Sequence, residues 1–148
     1  MQAMRRLWIR TGAALALAML APVRALAAWN AAAFDAKSVA DALKAINGAG
    51  AAVNEGIVID APQIAENGAV VPIEVTSNIP GTTAISVLIE KNPFPLAARF
   101  DFKEGALPYV KINAKIGETS NVRVIAEAGG RSFSAMKEVK VTIGGCGG

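Results

Sequence analysis

Histidine is absent from this chain of 148 residues, and cysteine occurs only once. Histidine is the commonest general base and a very common ligand of transition metals. One cysteine without histidine cannot complete a zinc site, and no Cys–His pair can activate the thiol from within the chain. No glycine-rich loop follows a strand and opens a helix, so a nucleotide-binding fingerprint is lacking. We therefore expect a protein that is not an enzyme and that holds no cofactor or metal.

The N-terminal residues have the composition of an export signal. An apolar run at 12–21 follows three arginines, and it is shorter than the roughly 20 residues that a membrane span requires. Ala25-Leu26-Ala27 fits a small-residue cleavage site. We expect residues 1–27 to be removed and the mature protein to lie in the periplasm, without a membrane anchor.

The signal also suggests an export route. The segment Met4-Arg5-Arg6-Leu7-Trp8-Ile9-Arg10 resembles the twin-arginine motif, with Arg5 and Arg6 as its paired arginines. Met4 stands where serine or threonine is usual, and paired arginines also occur in ordinary signals. The general secretory route is therefore the alternative.

Charge gives no indication of a nucleic-acid partner once the signal is set aside. The chain has 15 Lys and Arg against 12 Asp and Glu. Four of the arginines lie within residues 1–27, so 11 basic residues remain against 12 acidic ones, a net charge near −1. The basic pI belongs mostly to the signal, whereas nucleic-acid binding requires a retained basic patch.

One helix is predicted near the start of the mature chain. Val39, Leu43 and Ile46 recur at the spacing of an amphipathic helix, Asp35 is a candidate N-cap, and Asn47-Gly48 supplies a stop. We expect the helix to pack on or beside a sheet; binding of a partner is the alternative.

From residue 57 onward the apolar period changes to two, which is typical of strands with one buried face. The runs are bounded by turn residues, including Gly129-Gly130 as a tight hairpin turn. Roughly seven short strands predict a mainly β fold, an immunoglobulin-like antiparallel β-sandwich over residues 28–143. The alternating apolar positions are Ile57 and Ile59; Val71, Ile73 and Val75; Ile85, Val87 and Ile89; Val110, Ile112, Ala114 and Ile116; Val122 and Val124; Phe133 and Ala135; Val139, Val141 and Ile143.

Two apolar residues fall on otherwise polar strand faces, Leu88 and Ile125. Exposed apolar patches mark interfaces. We therefore predict that these residues are exposed and form part of an interface with a second subunit.

The single cysteine lies in the last five residues, Gly144-Gly145-Cys146-Gly147-Gly148. Glycine samples φ of either sign, so we expect residues 144–148 to be a flexible arm that presents one thiol beyond the folded domain. A lone cysteine in an exported protein is either paired with another molecule or functional as a free thiol. An accidental cysteine in a frayed terminus is the third possibility.

The terminal Gly-Gly-Cys-Gly-Gly, together with the predicted sandwich and the twin-arginine-like signal, resembles the SoxY family, the sulfur carriers of the Sox thiosulfate-oxidising system. The resemblance implies that Cys146 is the covalent attachment site for sulfur. It also implies that Gly144, Gly145, Gly147 and Gly148 form the carrier arm.

The resemblance implies partners as well. They are a second sandwich subunit, SoxZ, in a heterodimer; the c-type cytochrome SoxXA, which couples thiosulfate to the thiol; the manganese-dependent hydrolase SoxB, which releases sulfate; and in many organisms the sulfane dehydrogenase SoxCD.

Two other functions are compatible with parts of the sequence. A ubiquitin-like sulfur carrier also ends in Gly-Gly, but it requires cytoplasmic adenylation and a β-grasp fold, which the signal and the seven strands oppose. An exported structural or adhesive sandwich would use Cys146 for an intermolecular disulfide.

Overall fold

The computed structural model describes residues 30–142. The predicted signal with Arg5 and Arg6, and the predicted arm with Cys146, lie outside the described residues, so the predicted boundaries of signal, domain and arm stay predictions. Within residues 30–142 the chain forms two short helices and nine strands. In chain order they are α1 (Ala31–Phe34), α2 (Val39–Ala45), β1 (Ala52–Val53), β2 (Ile57–Asp60), β3 (Ile64–Ala65), β4 (Val71–Ser77), β5 (Thr82–Ile89), β6 (Leu96–Asp101), β7 (Tyr109–Ala114), β8 (Ser120–Ala128) and β9 (Arg131–Val141).

The strands form two sheets, as the predicted sandwich requires. The larger sheet has the order β1-β9-β8-β5-β6, and β3 also pairs with β9; the smaller sheet has the order β2-β4-β7. All pairs between the longer strands are antiparallel, whereas the two-residue strands β1 and β3 pair parallel with β9. The mainly β sandwich is therefore confirmed, with two short parallel pairings that the alternation did not predict.

The core between the sheets comes from the predicted alternation. Residues of β4 such as Ile73 and Val75 pack in one apolar cluster with Val87 of β5 and Val124 of β8, and all four are fully buried. Burial of a valine or isoleucine side chain stabilises a fold by about 1.5–3 kcal/mol. The period-two pattern thus identifies the side chains that hold the sheets together.

Both helices cover the outer face of the larger sheet. Ala42 of α2 and the C-cap residue Ile46 form a second apolar cluster with Leu88 and Ile125. The prediction that Leu88 and Ile125 are exposed is wrong, because they are 0% and 1% exposed beneath the helices. The helix packs on the sheet as predicted, and these residues offer no surface for a subunit interface.

The helix N-cap lies three residues later than predicted. Ser38 is the N-cap of α2, and its Oγ accepts a hydrogen bond from the Asp41 amide at 3.1 Å. Asp35 instead caps the C-terminus of the additional helix α1, which the single-helix prediction did not include. The predicted stop is confirmed, because Asn47 has a left-handed φ of 55°.

The strand predictions are confirmed at most positions. The Gly129-Gly130 turn joins β8 to β9 with φ of 57° and 72°, the positive values that a two-residue hairpin turn favours. The runs at Phe133 and Val139 belong to one long strand, β9, instead of two. The strand β6 was not predicted, because its sequence Leu-Ala-Ala-Arg-Phe-Asp lacks a clear alternation. Neither helix described in residues 30–142 is long and apolar enough to cross a membrane.

Candidate functional site

The last described residues of β9 lead directly to the predicted arm, and we call Lys140–Thr142 the arm root. Hydrogen bonds hold its main chain to neighbouring segments on both sides of the strand. Lys140 N donates to Gln63 O at 2.9 Å, and Thr142 N donates to Ala65 O at 3.1 Å. Between them, Val141 N donates to Thr119 Oγ1 at 3.1 Å. Three successive amides are therefore anchored to two separate segments of the domain.

The turn between β3 and β4 packs against the arm root without space for a side chain. A Cβ added to Gly68 would overlap the carbonyl oxygen of Ile116 and lie 2.9 Å from Val141 Cγ1. The same turn is bonded to the end of β7, since Ile116 N donates to Gly68 O at 2.7 Å. Gly68 thus permits a close approach that brings β3, β7 and β9 together.

Asn92 joins the two sheets at the same end of the sandwich. Its Nδ2 donates to Lys115 O at 2.8 Å, and its Oδ1 accepts from Gly117 N at 3.4 Å. The turn between β5 and β6 therefore also fixes the loop from β7 to β8, which carries Thr119.

A shallow depression of about 240 Å³ lies beside the arm root. It is lined by Val141, Thr142, the turn at 66–69 and the loop at 115–117, so that Glu66 and Lys115 are its titratable groups. From Thr142 the main chain needs four residues to reach Cys146, and a fully extended chain covers roughly 13 Å in that distance. The main chain therefore limits how far the Cα of Cys146 can lie from the arm root, and the side chain extends the reach of the sulfur beyond that distance.

None of the predicted site residues falls within the described range, so the structure brings none of them together. Cys146, Gly144, Gly145, Gly147 and Gly148 follow it, and Arg5 and Arg6 precede it. The anchoring residues Thr119, Gly68 and Asn92 were not predicted as site residues. Their only sequence signal was turn composition, and nothing local indicates that their partners lie at the ends of β7 and β9.

Several acidic residues are paired with arginine or lysine side chains. Four ion pairs are recorded within residues 30–142, and Arg99 holds two of the carboxylates, Asp101 and Glu127. Burial alone would raise the pKa of Glu90, but hydrogen bonds from Asn121 and Arg123 outweigh it, and the pKa lies below its ordinary value.

An ion pair also lies on the outer face of the smaller sheet. Lys111 Nζ donates to Glu74 Oε1 and the Tyr109 hydroxyl donates to Glu74 Oε2, both at 2.6 Å. These hydrogen bonds, from Lys111 first, lower the pKa of Glu74, and the carboxylate in turn raises the pKa values of both Tyr109 and Lys111. The group joins two neighbouring strands, β4 and β7.

The family model described as "Sulfur oxidation protein SoxY" matches residues 43–146, which is more than half of the chain and ends at the single cysteine. The chain belongs to the SoxY family. The resemblance stated from the terminal motif is thereby confirmed, and with it a role in sulfur oxidation as a member of a sulfur-carrier family.

A solved structure agrees with this assignment. The sulfur carrier protein SoxY from Chlorobium limicola f thiosulfatophilum is 40% identical, with a TM-score of 0.66 over 74% of this chain and 96% of that one. A superoxide reductase (neelaredoxin) from Ignicoccus hospitalis is 20% identical, with a TM-score of 0.52 over 58% of this chain and 79% of that one, which shows a likeness of fold alone. The search of curated protein sequences found no match.

Proposed function

We propose that this SoxY-family chain carries thiosulfate-derived sulfur covalently on Cys146 and presents it to separate enzymes in the periplasm. The observation that carries the proposal is the extent of the family match, which runs through the folded domain and ends on Cys146, the only cysteine. The anchored arm root supports it, because a carrier needs a fixed origin from which a short segment can reach a partner's active site.

The loading step is an oxidation for which the chain needs a partner. The Cys146 thiolate and the outer sulfur of thiosulfate form a new S–S bond, and two electrons leave to an acceptor of the c-type cytochrome class, the role of SoxXA. The product is a cysteine S-thiosulfonate. Addition of water to its sulfone sulfur, the role of SoxB, releases sulfate and two protons and leaves a persulfide on Cys146. Oxidation of that persulfide sulfur would be the role of SoxCD.

We expect the partners to supply both the oxidant and the activation of the thiol for these steps. The chain has no histidine, and a cysteine at an unperturbed pKa of about 8.5 is only a few per cent thiolate at neutral pH. Activation therefore comes from the partners, and the carrier is inert between them. A SoxZ-like sandwich subunit completes the proposed heterodimer, and no cofactor is needed.

Intact-mass and peptide mass spectrometry of protein from cells growing on thiosulfate tests the proposal. The peptide that contains Cys146 should show thiosulfonate or persulfide additions that a reductant removes. Cys146→Ser serves as the matched control and should show none. The purified chain alone should give no steady oxidation of thiosulfate.

The same measurement separates the alternatives. A free thiol or a plain intermolecular disulfide as the only form on thiosulfate would contradict the carrier function and favour a structural sandwich. Sulfur on the carboxyl group of Gly148 would indicate a thiocarboxylate carrier of the ubiquitin-like kind.

A further inference from the structure

The two long sides of the sandwich are closed differently. On one side, the segment from β1 to β3 crosses from the larger sheet to the smaller one and back. In this segment β1 pairs with β9, β2 pairs with β4, and β3 pairs with β9. On the other side, the edge strands are β6 of the larger sheet and β7 of the smaller one. Within residues 30–142, no strand pairs with the outer edge of either. We call this side the open side.

Within residues 30–142, the outer edge of β7 presents main-chain groups without a partner strand. Ser77 N donates to Pro108 O at 2.9 Å, and the register of β4 with β7 continues this pairing through Val110 and Ile112. Hydrogen-bonded residues alternate in an antiparallel pair. The N–H and C=O groups of Lys111 and Asn113 therefore point away from β4, along the open side.

The side chains on this strand do not protect its edge. Proteins commonly shield an edge strand with a lysine that projects past it. Here the Lys111 ammonium and the Tyr109 hydroxyl are both bonded to Glu74 on β4, which lies on the opposite side of β7 from the free edge. Both long side chains are thus drawn back over their own sheet, and the main chain is left accessible.

A slot between the two edge strands provides room for incoming side chains. Its volume is about 320 Å³, and several of its lining residues are small or apolar: Ala97, Ala98, Ile112 and Ala114. The alternate side chains of a strand added to β7 would point toward this slot.

Exposed apolar residues lie near the two ends of the open side. Phe94, in the turn before β6, is 51% exposed. Leu107, in the loop from β6 to β7, is 84% exposed. Both residues therefore lie beside the outer edge of β7 or β6, where a partner strand could cover them.

We propose that the open side is an interface at which an edge strand of a second, different β-sandwich subunit adds to β7. This inference rests on the proposed function for the presence of such a subunit, and it identifies the surface that the subunit uses. Strand addition satisfies the free main-chain groups of Lys111 and Asn113, and alternate side chains fill the slot.

Charge argues against a second copy of this chain as the occupant. A twofold antiparallel pairing that uses Tyr109, Lys111 and Asn113 of both copies places Lys111 opposite itself. Like charges directly opposite one another destabilise a pair of strands. The facing strand of the partner is therefore expected to carry an acidic or neutral residue at that position.

The test compares Lys111→Pro with Lys111→Ala in the chain co-expressed with a SoxZ-type sandwich subunit. Both variants lose the ion pair with Glu74, but only proline removes the outward N–H, and at such an edge position it leaves the bonds to β4 in place. We expect Lys111→Pro to weaken the complex by about tenfold or more and Lys111→Ala by less than about threefold in calorimetric titration. In the unsubstituted chain, amide hydrogen exchange at Lys111 and Asn113 should slow when the subunit binds.

Equal affinities of the two variants, or protection elsewhere with none on β7, would overturn the inference. So would a homodimer of the unsubstituted chain that Lys111→Pro dissociates. If Lys111→Pro does not fold, the exchange measurement on the unsubstituted chain decides alone. Failure of the chain to bind any sandwich subunit would also overturn it, whereas the mass additions on Cys146 test the carrier function independently.

Discussion

Gly68 and Ile116 lie so close together that the bond from Ile116 N to Gly68 O, at 2.7 Å, leaves no space for a Cβ at residue 68. The contact holds the end of β7 against the turn that leads into β4, and Val141 of the arm root packs against the same turn. The position from which the predicted arm departs is therefore determined by a backbone-to-backbone contact between segments about 50 residues apart in the sequence.

We expect Gly68→Ala to destabilise the domain by about 1–3 kcal/mol, because the added methyl group forces the chains apart. Gly117→Ala is the matched control, since it lies beside the same depression but a Cβ there meets no atom within 4 Å. Urea denaturation of both variants measures the difference. Equal stabilities of the two variants would show that the turn relaxes without cost.

We expect Thr119→Val to release the arm root locally. The substitution removes the hydroxyl that accepts from Val141 N, and the loss of one such hydrogen bond costs about 1 kcal/mol. Amide hydrogen exchange at Val141 should become faster, while the reaction of Cys146 with a small alkylating reagent should be unchanged. Thr119→Ser keeps the hydroxyl and should keep the slow exchange, so equally fast exchange in both variants would argue against the anchoring role.

Much of the fold follows from the sequence, because alternation reports directly on which face is buried. Val71, Ile73 and Val75 are predicted and found in the core, because a strand of a β-sandwich has one apolar face that packs against the opposite sheet. The burial of Leu88 could not be predicted in this way. It depends on contact with α2, some 40 residues earlier in the chain, and no local pattern records that contact.

The candidate site likewise contains residues that the sequence indicates and residues that only the tertiary structure reveals. Cys146 is a candidate from the sequence alone, because a single cysteine between glycine pairs stands out without tertiary information. Thr119 and Asn92 are ordinary loop residues by sequence, and their role depends on which strands end at the same edge of the sandwich. Composition and spacing do not predict tertiary contacts of this kind.

We expect Glu90 to contribute to the pH dependence of stability. Its pKa in the folded protein lies below the ordinary value of 4.5. The stabilisation is therefore fully present above that value and is lost as the pH falls through the lowered folded pKa. The difference in the free energy of unfolding between the unsubstituted chain and Glu90→Gln should shrink below about pH 4.5.

Urea denaturation between pH 7 and pH 3 measures this difference. Glu118→Gln is the control, because Glu118 is exposed and takes no part in the four ion pairs recorded for residues 30–142. A Glu90→Gln difference that is unchanged across the range would contradict the prediction.

We expect the glycines beside Cys146 to matter separately from its thiol. Replacing Gly145 and Gly147 together by valine or proline keeps the sulfur but restricts φ and places side chains next to it. Enzymatic loading with thiosulfate should fall, because the sulfur must fit active-site clefts of different shapes, whereas alkylation by a small reagent should be little changed. Replacing both glycines by alanine should give an intermediate loss. If the doubly substituted chain loads as well as the unsubstituted one, the glycines are incidental and only the thiol matters.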